Sequence, residues 1–193
     1  MLITNDYLEA IRCPNCKSEK YIIIKESNYT KINRIEDLLL IYKSSSETLM
    51  LDQLVTCTIC DLSYLNPRIK SEIIIKCYSE NSDEKHISQD LLRYKTFKKS
   101  IKKILRKVKI LEIQNKTFLD IGSASGVFLK VAKNMGFKES GYEPSHSHVK
   151  YGRDKYGVNI KQGLIGDVEN IKYDFISFWD VLEHVTDLQA TLE

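Results

Sequence analysis

The sequence predicts an α/β protein in which a parallel sheet covered by helices follows a small β module. After Thr117, apolar segments alternate with amphipathic ones, which is the order expected of strand and helix units in a parallel sheet. Before Pro67, short apolar runs are accompanied by two Cys-X-X-Cys pairs. Such pairs bind metal more often than they form disulfides in a reducing compartment. The chain therefore divides into a cysteine-bearing β module and a larger α/β part.

The composition is that of a globular protein, with 42% hydrophobic and 28% charged residues among 193. No apolar run approaches the roughly 18 residues that a membrane span needs. The N-terminus, MLITNDYLEA, lacks the basic start and apolar centre of a signal peptide. We therefore expect a cytoplasmic protein with no membrane partner. The net charge of +3 is too small to indicate a nucleic-acid-binding protein.

The four paired cysteines of the β module are Cys13, Cys16, Cys57 and Cys60, and forty residues separate the two pairs. Two such turns at the tips of two hairpins can supply four thiolates in a tetrahedron, which is a closed structural zinc site. Iron-sulfur ligation and unligated thiols are the alternatives. Cys77 has no partner in the sequence, so we expect a free thiol. The zinc-ribbon module is predicted over residues 1–80.

Within this module we predict strands at Tyr21–Ile24 and Leu49–Leu51, with 28–46 as an insertion or a long hairpin. Residues 81–116 are predicted to form a helical, basic linker. Its apolar residues Ile101, Ile104, Leu105 and Val108 have helical spacing. Seven Lys or Arg residues and no acid occur between positions 98 and 109. They indicate a solvated helix face or a surface for an anionic substrate, nucleotide or RNA, and few aromatic residues accompany them.

Four strands are predicted after residue 116. They are Thr117–Ile121, Glu139–Glu143, Val158–Lys161 and Tyr173–Phe178. Helices Val127–Met135 and 145–156 separate them and end at Gly136 and Gly157, and a last helix begins near Val181.

A loop of very small residues, 122–126, joins the first of these strands to its helix, and we name it the glycine loop. Such a loop lets a ligand approach the backbone closely near a helix N-terminus. The nicotinamide fingerprint G-x-G-x-x-G fails here, because Ala124 and Val127 take the second and third glycine positions. The form D-x-G-x-G-x-G matches Asp120, Gly122 and Gly126 and replaces only the middle glycine.

An acid follows at the end of the second predicted strand. Glu143 lies 21 residues after Gly122, where a carboxylate can accept hydrogen bonds from both hydroxyls of a ribose. The order and spacing of the glycine loop and this acid indicate a nucleoside-containing ligand.

The segment Phe118–Val185 resembles the class I S-adenosylmethionine-dependent methyltransferases. It is similar in particular to a bacterial group that carries a CxxC...CxxC ribbon ahead of the domain and acts on sugars or other small metabolites. The motifs that carry the resemblance are Ala124 in the loop, the turn 143–145 (Glu-Pro-Ser), and the segment 180–185 (Asp-Val-Leu-Glu-His-Val). The resemblance implies a Rossmann-like parallel sheet, S-adenosylmethionine as cofactor and a sugar derivative or other small molecule as acceptor.

The resemblance also implies which residues contact the cofactor. Gly122, Ser123, Gly126 and Glu143 would line it, and Asp120 would lie close to its methionine end. Asp167, in the loop after the third strand, is a weaker candidate for binding the adenine amino group, and a plain surface loop is its alternative.

Three polar residues, Asp180, Glu183 and His184, would share one helix face if a helix starts at or before the first of them. Methyl transfer is an in-line displacement, so the protein must align the acceptor and remove its proton. His184 suits the base role near neutral pH. Magnesium ligation by this segment and a purely structural role are the alternatives.

The family fold continues through three more strands, so we expect 117–193 to be the N-terminal half of the domain and this length to be of doubtful activity. An exposed strand edge would then invite a complementing chain or self-association. A non-catalytic cofactor- or zinc-binding fragment and an RNA-modifying methyltransferase are the alternatives. The lack of a strong basic cluster between Cys16 and Cys57 favours a small acceptor over nucleic acid.

Overall fold

The computed structural model describes residues 7–29, 37–38, 41–42, 51–80, 87–185 and 187–192. The described residues form two compact units. The first contains those up to Tyr78 together with those from Val185 onward, and the second contains Ser79–His184. No helix in the described ranges is both long enough and apolar enough to cross a membrane.

The first unit holds two small antiparallel sheets. Strand β1 pairs with β5, and β2, β3 and β4 form a three-stranded sheet in that order. The elements are β1 (Leu8–Glu9), β2 (Tyr21–Lys25), β3 (Leu54–Cys57), β4 (Ser63–Leu65), β5 (Arg68–Ile69), α1 (Ser71–Glu80) and α5 (Leu188–Leu192).

The strand predicted at Tyr21–Ile24 is confirmed as β2. Positions 49 and 50 of the next predicted strand lie outside the described residues, and Leu51 is not in a strand. Most of the predicted 28–46 insertion also lies outside the described residues. Helix α1 was not anticipated from the sequence.

The second unit is a helix followed by a four-stranded, fully parallel sheet with the order β8-β7-β6-β9. Its elements are α2 (Asp90–Lys107), β6 (Thr117–Ile121), α3 (Val127–Met135), β7 (Lys138–Glu143), α4 (His146–Tyr156), β8 (Ile160–Gln162) and β9 (Phe175–Phe178). The predicted Rossmann-like parallel sheet is therefore confirmed, with β8 and β9 beginning two residues later than expected.

The central strand β6 supplies the core on both faces of the sheet, because successive side chains of a strand point to opposite sides. Phe118 packs with Phe128 of α3 and with Ile101 and Leu105 of α2. The next residue, Leu119, belongs to a different cluster. The sheet is thus packed on each side.

Helix α2, which lies within the predicted helical segment 81–116, packs into this core. Ile101 and Leu105 are buried, as expected, but Ile104 and Val108 are 50% and 54% exposed. The buried face continues instead through Phe97 and Tyr94, whose rings pack against α3 and the residue after β9. The seven basic residues between positions 98 and 109 are all exposed.

Candidate functional site

The glycine loop turns sharply between β6 and α3, and three of its residues have positive φ. Gly122 and Gly126 have φ of 67° and 78°, and Ala124 has φ of 46°. A non-glycine residue in this left-handed region costs roughly 1–2 kcal/mol. The surroundings must therefore hold Ala124 in place.

Glu143 holds Ala124 in this conformation through a hydrogen bond. It lies at the end of β7 and is 7% exposed, and its Oε2 accepts a hydrogen bond from the Ala124 amide at 2.8 Å. Its Oε1 accepts the Ser145 amide at 2.9 Å, and the Nδ1 of His148 lies 3.9 Å from the same oxygen. A carboxylate offers about four acceptor positions, and the two backbone amides use two of them. The structure thus joins the predicted acid directly to the predicted loop.

Asp120 is buried beneath the loop, with 2% of its surface exposed. The pKa of Asp120 is raised to about 7, chiefly by burial and also by the charge of Glu143, against the lowering effect of a hydrogen bond from Ser177. That bond runs from the Ser177 hydroxyl to Oδ1 at 2.5 Å. Ser177 lies on β9 and was not identified from the sequence, because only strand pairing places it beside Asp120.

Ser123 is oriented by backbone groups on β6 and β7. Its hydroxyl donates to the Asp120 carbonyl oxygen at 2.7 Å, and its amide donates to the Tyr142 carbonyl oxygen at 3.1 Å. The Gly122 amide donates to the same Tyr142 carbonyl at 2.9 Å. These bonds direct the start of the glycine loop over the ends of both strands.

The segment that follows β9 differs from its prediction. The α-helix expected from Val181 is wrong: a three-residue 3₁₀ helix, Leu182–His184, takes its place. The backbone of Asp180 has φ of 53°, so this residue is not helical and cannot share an α-helix face with Glu183 and His184. The α-helical spacing assumed for the three polar residues is therefore absent, although Glu183 Oε1 and His184 Nε2 lie 4.0 Å apart on exposed side chains.

Residue 181 places this segment against the glycine loop. A Cβ built on Gly122 would lie 2.4 Å from Cγ2 of Val181, so only glycine fits at position 122 with this neighbour. The carboxylate of Asp167 is used locally, since its Oδ2 accepts the Leu164 amide at 2.8 Å and closes a short 3₁₀ helix. That bond is the contact expected of a surface turn.

A family model described as a methyltransferase domain matches residues 92–193, which is more than half of the chain. The chain belongs to this methyltransferase domain family. A search of curated proteins finds no match.

Solved structures with the same fold include magnesium protoporphyrin IX methyltransferase from Synechocystis PCC 6803 with bound S-adenosylmethionine. It is 13% identical, with a TM-score of 0.50, over 66% of this chain and 71% of that chain. A methyltransferase from Thermotoga maritima is 22% identical, with a TM-score of 0.42, over 56% of this chain and 47% of that one. The chain spans only 36% of the matching Thermoplasma acidophilum protein, with 16% identity over 34% of this chain and a TM-score of 0.32.

The second unit carries a further acid that the sequence did not single out. Asp90, the first residue of α2, is 5% exposed and accepts hydrogen bonds from the hydroxyls of Ser125 and Tyr156. The available sequence signal was only an acid at the start of a predicted helix. Helix N-termini commonly carry acids, so that signal could not indicate a contact with the glycine loop.

The four paired cysteines form one cluster in the first unit, and their sulfur atoms all lie within 4.8 Å of one another. The two Cys-X-X-Cys turns have the same backbone hydrogen bonds. The Cys13 carbonyl accepts the Lys17 amide and the Cys57 carbonyl accepts the Asp61 amide, at 2.9 and 3.1 Å. Lys17 and Asp61 also share a left-handed conformation, with φ of 60° and 58°. Two copies of one turn thus present four thiols to a common centre.

The spacing of the sulfur atoms fits a tetrahedral metal. Zn–S bonds of about 2.3 Å place sulfurs about 3.8 Å apart, and the Cys13–Cys60 and Cys16–Cys57 sulfur pairs lie 3.6 and 3.5 Å apart. Hydrogen bonds from the Leu62 amide and the Asn15 side chain lower the pKa of Cys60 to about 6, whereas burial and contacts with the other three thiols raise the pKa of Cys16 to about 12, so the fit to a metal rests on the sulfur geometry. Cys77 is buried in a different cluster and lies outside this group.

Proposed function

We propose that the chain binds S-adenosylmethionine over the glycine loop, and that the protein transfers the methyl group to a sugar or other small-molecule acceptor. The observation that carries the cofactor site is the 2.8 Å hydrogen bond between the Ala124 amide and Glu143, which joins the loop and the acid at the carboxyl ends of two adjacent parallel strands. Ligands of open parallel sheets bind at that edge. In this proposal Glu143 accepts the ribose hydroxyls, while Gly122, Ser123 and Gly126 provide the backbone surface.

On the acceptor side, we propose that His184 removes the proton of the attacking group and that Glu183 orients its ring. Val181 packs against the glycine loop, so the segment 180–184 begins beside the proposed cofactor site. The side chains of Glu183 and His184 are 57% and 48% exposed, which leaves them accessible to an acceptor. The choice of a sugar derivative rests on the resemblance to ribbon-bearing methyltransferases.

We also propose that Cys13, Cys16, Cys57 and Cys60 hold one zinc ion. Four thiolates complete a tetrahedral shell and leave no open position, so the ion would stabilise the small sheet β2–β4 rather than take part in methyl transfer.

Replacing Glu143 with glutamine is expected to weaken S-adenosylhomocysteine binding by at least about 30-fold. Hydrogen bonds to a charged acceptor contribute roughly 1.5–3 kcal/mol each, and glutamine has only one acceptor oxygen for the two backbone amides, of Ala124 and Ser145, that donate to Glu143. The measurement is calorimetric titration of the purified, metal-loaded chain with S-adenosylmethionine and S-adenosylhomocysteine.

Glu169→Gln is the matched control, because Glu169 is an exposed carboxylate paired with Lys161. It should bind as the unaltered chain does. Equal affinity for Glu143→Gln and the control would exclude the ribose role. Absence of binding by the unaltered, folded chain would contradict the cofactor site itself.

The acceptor is tested with labelled S-adenosylmethionine and a panel of sugar nucleotides, small amines and RNA. Transfer of label to a sugar nucleotide is expected, and His184→Gln should reduce it at unchanged cofactor affinity. Transfer to RNA alone, with binding that weakens steeply as salt rises, would contradict the small-acceptor proposal.

Cofactor affinity should rise about tenfold between pH 6 and pH 8. Asp120 has a pKa of about 7 in the chain without cofactor, and a sulfonium ligand favours its carboxylate form, so binding below neutral pH must release a proton. Titrations in buffers of different ionisation enthalpy measure that release, and Asp120→Asn should remove both effects. A pH-independent affinity in the unaltered chain would show that Asp120 does not sense the ligand charge.

The raised pKa of Asp120 also makes the free energy of unfolding depend on pH, but this free energy falls as the pH rises, whereas cofactor affinity increases. An unfolded aspartate, with a pKa near 3.8, loses its proton before the folded one does. The contribution of Asp120 to the free energy of unfolding is therefore present below about pH 4 and is lost as the pH rises toward 7.

A further inference from the structure

We propose that Asp90 is a positioning residue for the cofactor site. Through Ser125 it holds the glycine loop in the conformation in which Ala124 meets Glu143. This inference rests on the proposed cofactor site. It assigns helix α2 a role in cofactor affinity, although no residue of α2 is proposed to contact the cofactor.

The carboxylate of Asp90 is buried and accepts two hydrogen bonds. It is 5% exposed, its Oδ1 accepts the Ser125 hydroxyl at 2.8 Å, and its Oδ2 accepts the Tyr156 hydroxyl at 2.7 Å. A buried carboxylate is costly unless such donors satisfy it. Because the two hydroxyls come from different elements, the position of Asp90 is determined by both.

Ser125 is the residue through which this carboxylate can act on the site. It is 1% exposed, it directly precedes the N-cap of α3, Gly126, and it directly follows Ala124. Adjacent loop residues are therefore held by different buried carboxylates, Ala124 by Glu143 and Ser125 by Asp90. Strained backbone persists only where the surroundings over-determine it. Removing the bond to Ser125 should therefore weaken the bond between Ala124 and Glu143.

Substitution of Tyr156 distinguishes a positioning role of Asp90 from a purely stabilising one. Tyr156 is the last residue of α4, and its hydroxyl bonds Asp90 rather than the glycine loop. Tyr156→Phe thus removes one of the two hydroxyl hydrogen bonds that Asp90 accepts and leaves the hydrogen bond from Ser125. If Asp90 only stabilised the fold, loss of the Tyr156 hydrogen bond and loss of the Ser125 hydrogen bond would change cofactor affinity to the same extent.

The experiment compares Asp90→Ala, Asp90→Asn, Ser125→Ala, Tyr156→Phe and the double variant Asp90→Ala/Ser125→Ala in the full chain. The affinity for S-adenosylhomocysteine is measured well below each melting temperature. Asp90→Ala and Ser125→Ala should each weaken binding about tenfold, and the double variant should be no weaker than either. Asp90→Asn keeps an acceptor oxygen and should bind within about threefold of the unaltered chain, as should Tyr156→Phe, whose main effect should be a lower melting temperature.

Amide hydrogen exchange at residues 122–126 provides a readout without cofactor. Faster exchange of the Ala124 amide in Ser125→Ala, but not in Tyr156→Phe, is expected. This result would support the inference even if the unaltered chain failed to bind S-adenosylhomocysteine, which would contradict only the proposed function.

Unchanged exchange in Ser125→Ala would overturn the inference. So would additive losses of affinity in the double variant, or a loss in Tyr156→Phe equal to that in Ser125→Ala. If Asp90→Ala does not fold, Ser125→Ala and Tyr156→Phe still decide between these outcomes.

Discussion

Replacing Cys57 with serine is expected to abolish stoichiometric zinc binding and to unfold the three-stranded sheet β2–β4. Cys57 is fully buried at the end of β3, and its sulfur faces that of Cys16. Structural zinc contributes about 10–16 kcal/mol to the folding of small zinc-finger peptides, and the strands of this sheet have at most five residues each. Loss of one ligand should therefore cost more than so small a core can supply. Metal analysis and amide exchange of β3 measure the two effects.

Cys77→Ser is the matched control, because Cys77 is also a buried cysteine but lies outside the cluster. It should retain one zinc per chain, although a buried hydroxyl will lower the melting temperature. Retention of full zinc by Cys57→Ser would contradict the four-cysteine site. Visible absorption typical of an iron-sulfur cluster in the unaltered chain would contradict zinc and show that the four cysteines hold an iron-sulfur cluster.

The parallel sheet was predictable because its signals are local. Gly136 and Gly157 both adopt the left-handed conformation expected of a residue that ends a helix, and Ser145 caps α4 as predicted. The first strand is reproduced with its predicted bounds as β6. Such signals depend on residues a few positions apart, so a single sequence contains them.

The features that sequence reasoning missed depend on contacts between distant residues. Periodicity alone placed Ile104 on the buried face of α2, but packing against α3 selects a face rotated toward Phe97. The α-helical spacing predicted for Asp180 and His184 fails because the backbone of Asp180 is left-handed. Ser177 became part of the site only through the pairing of β9 with β6. Strand pairing and helix packing of this kind involve residues far apart in the sequence, so no short segment predicts them.

Gly141→Ala is expected to lower the free energy of unfolding by about 3 kcal/mol and cofactor affinity by at least about 30-fold. A Cβ at this position of β7 would lie 2.1 Å from Oγ of Ser123 and 2.7 Å from Cδ1 of Leu129. The Ser123 hydroxyl would have to leave the Asp120 carbonyl oxygen to which it donates. Displacement of β7 would also move Glu143, two residues further on. Chemical denaturation and calorimetric titration measure the two losses.

Gly166→Ala is the control, since a Cβ there meets no atom within 4 Å, and both quantities should remain unchanged. Affinity like that of the unaltered chain in Gly141→Ala would show that Ser123 can move without consequence for the cofactor. The comparison with Glu143→Gln is informative because the two substitutions act differently. Gly141→Ala retains the carboxylate and alters the packing that places it, whereas Glu143→Gln removes the charge and one of the two oxygens that accept the Ala124 and Ser145 amides. A similar loss of affinity in both would mean that cofactor binding depends on the position of the Glu143 charge as much as on its presence.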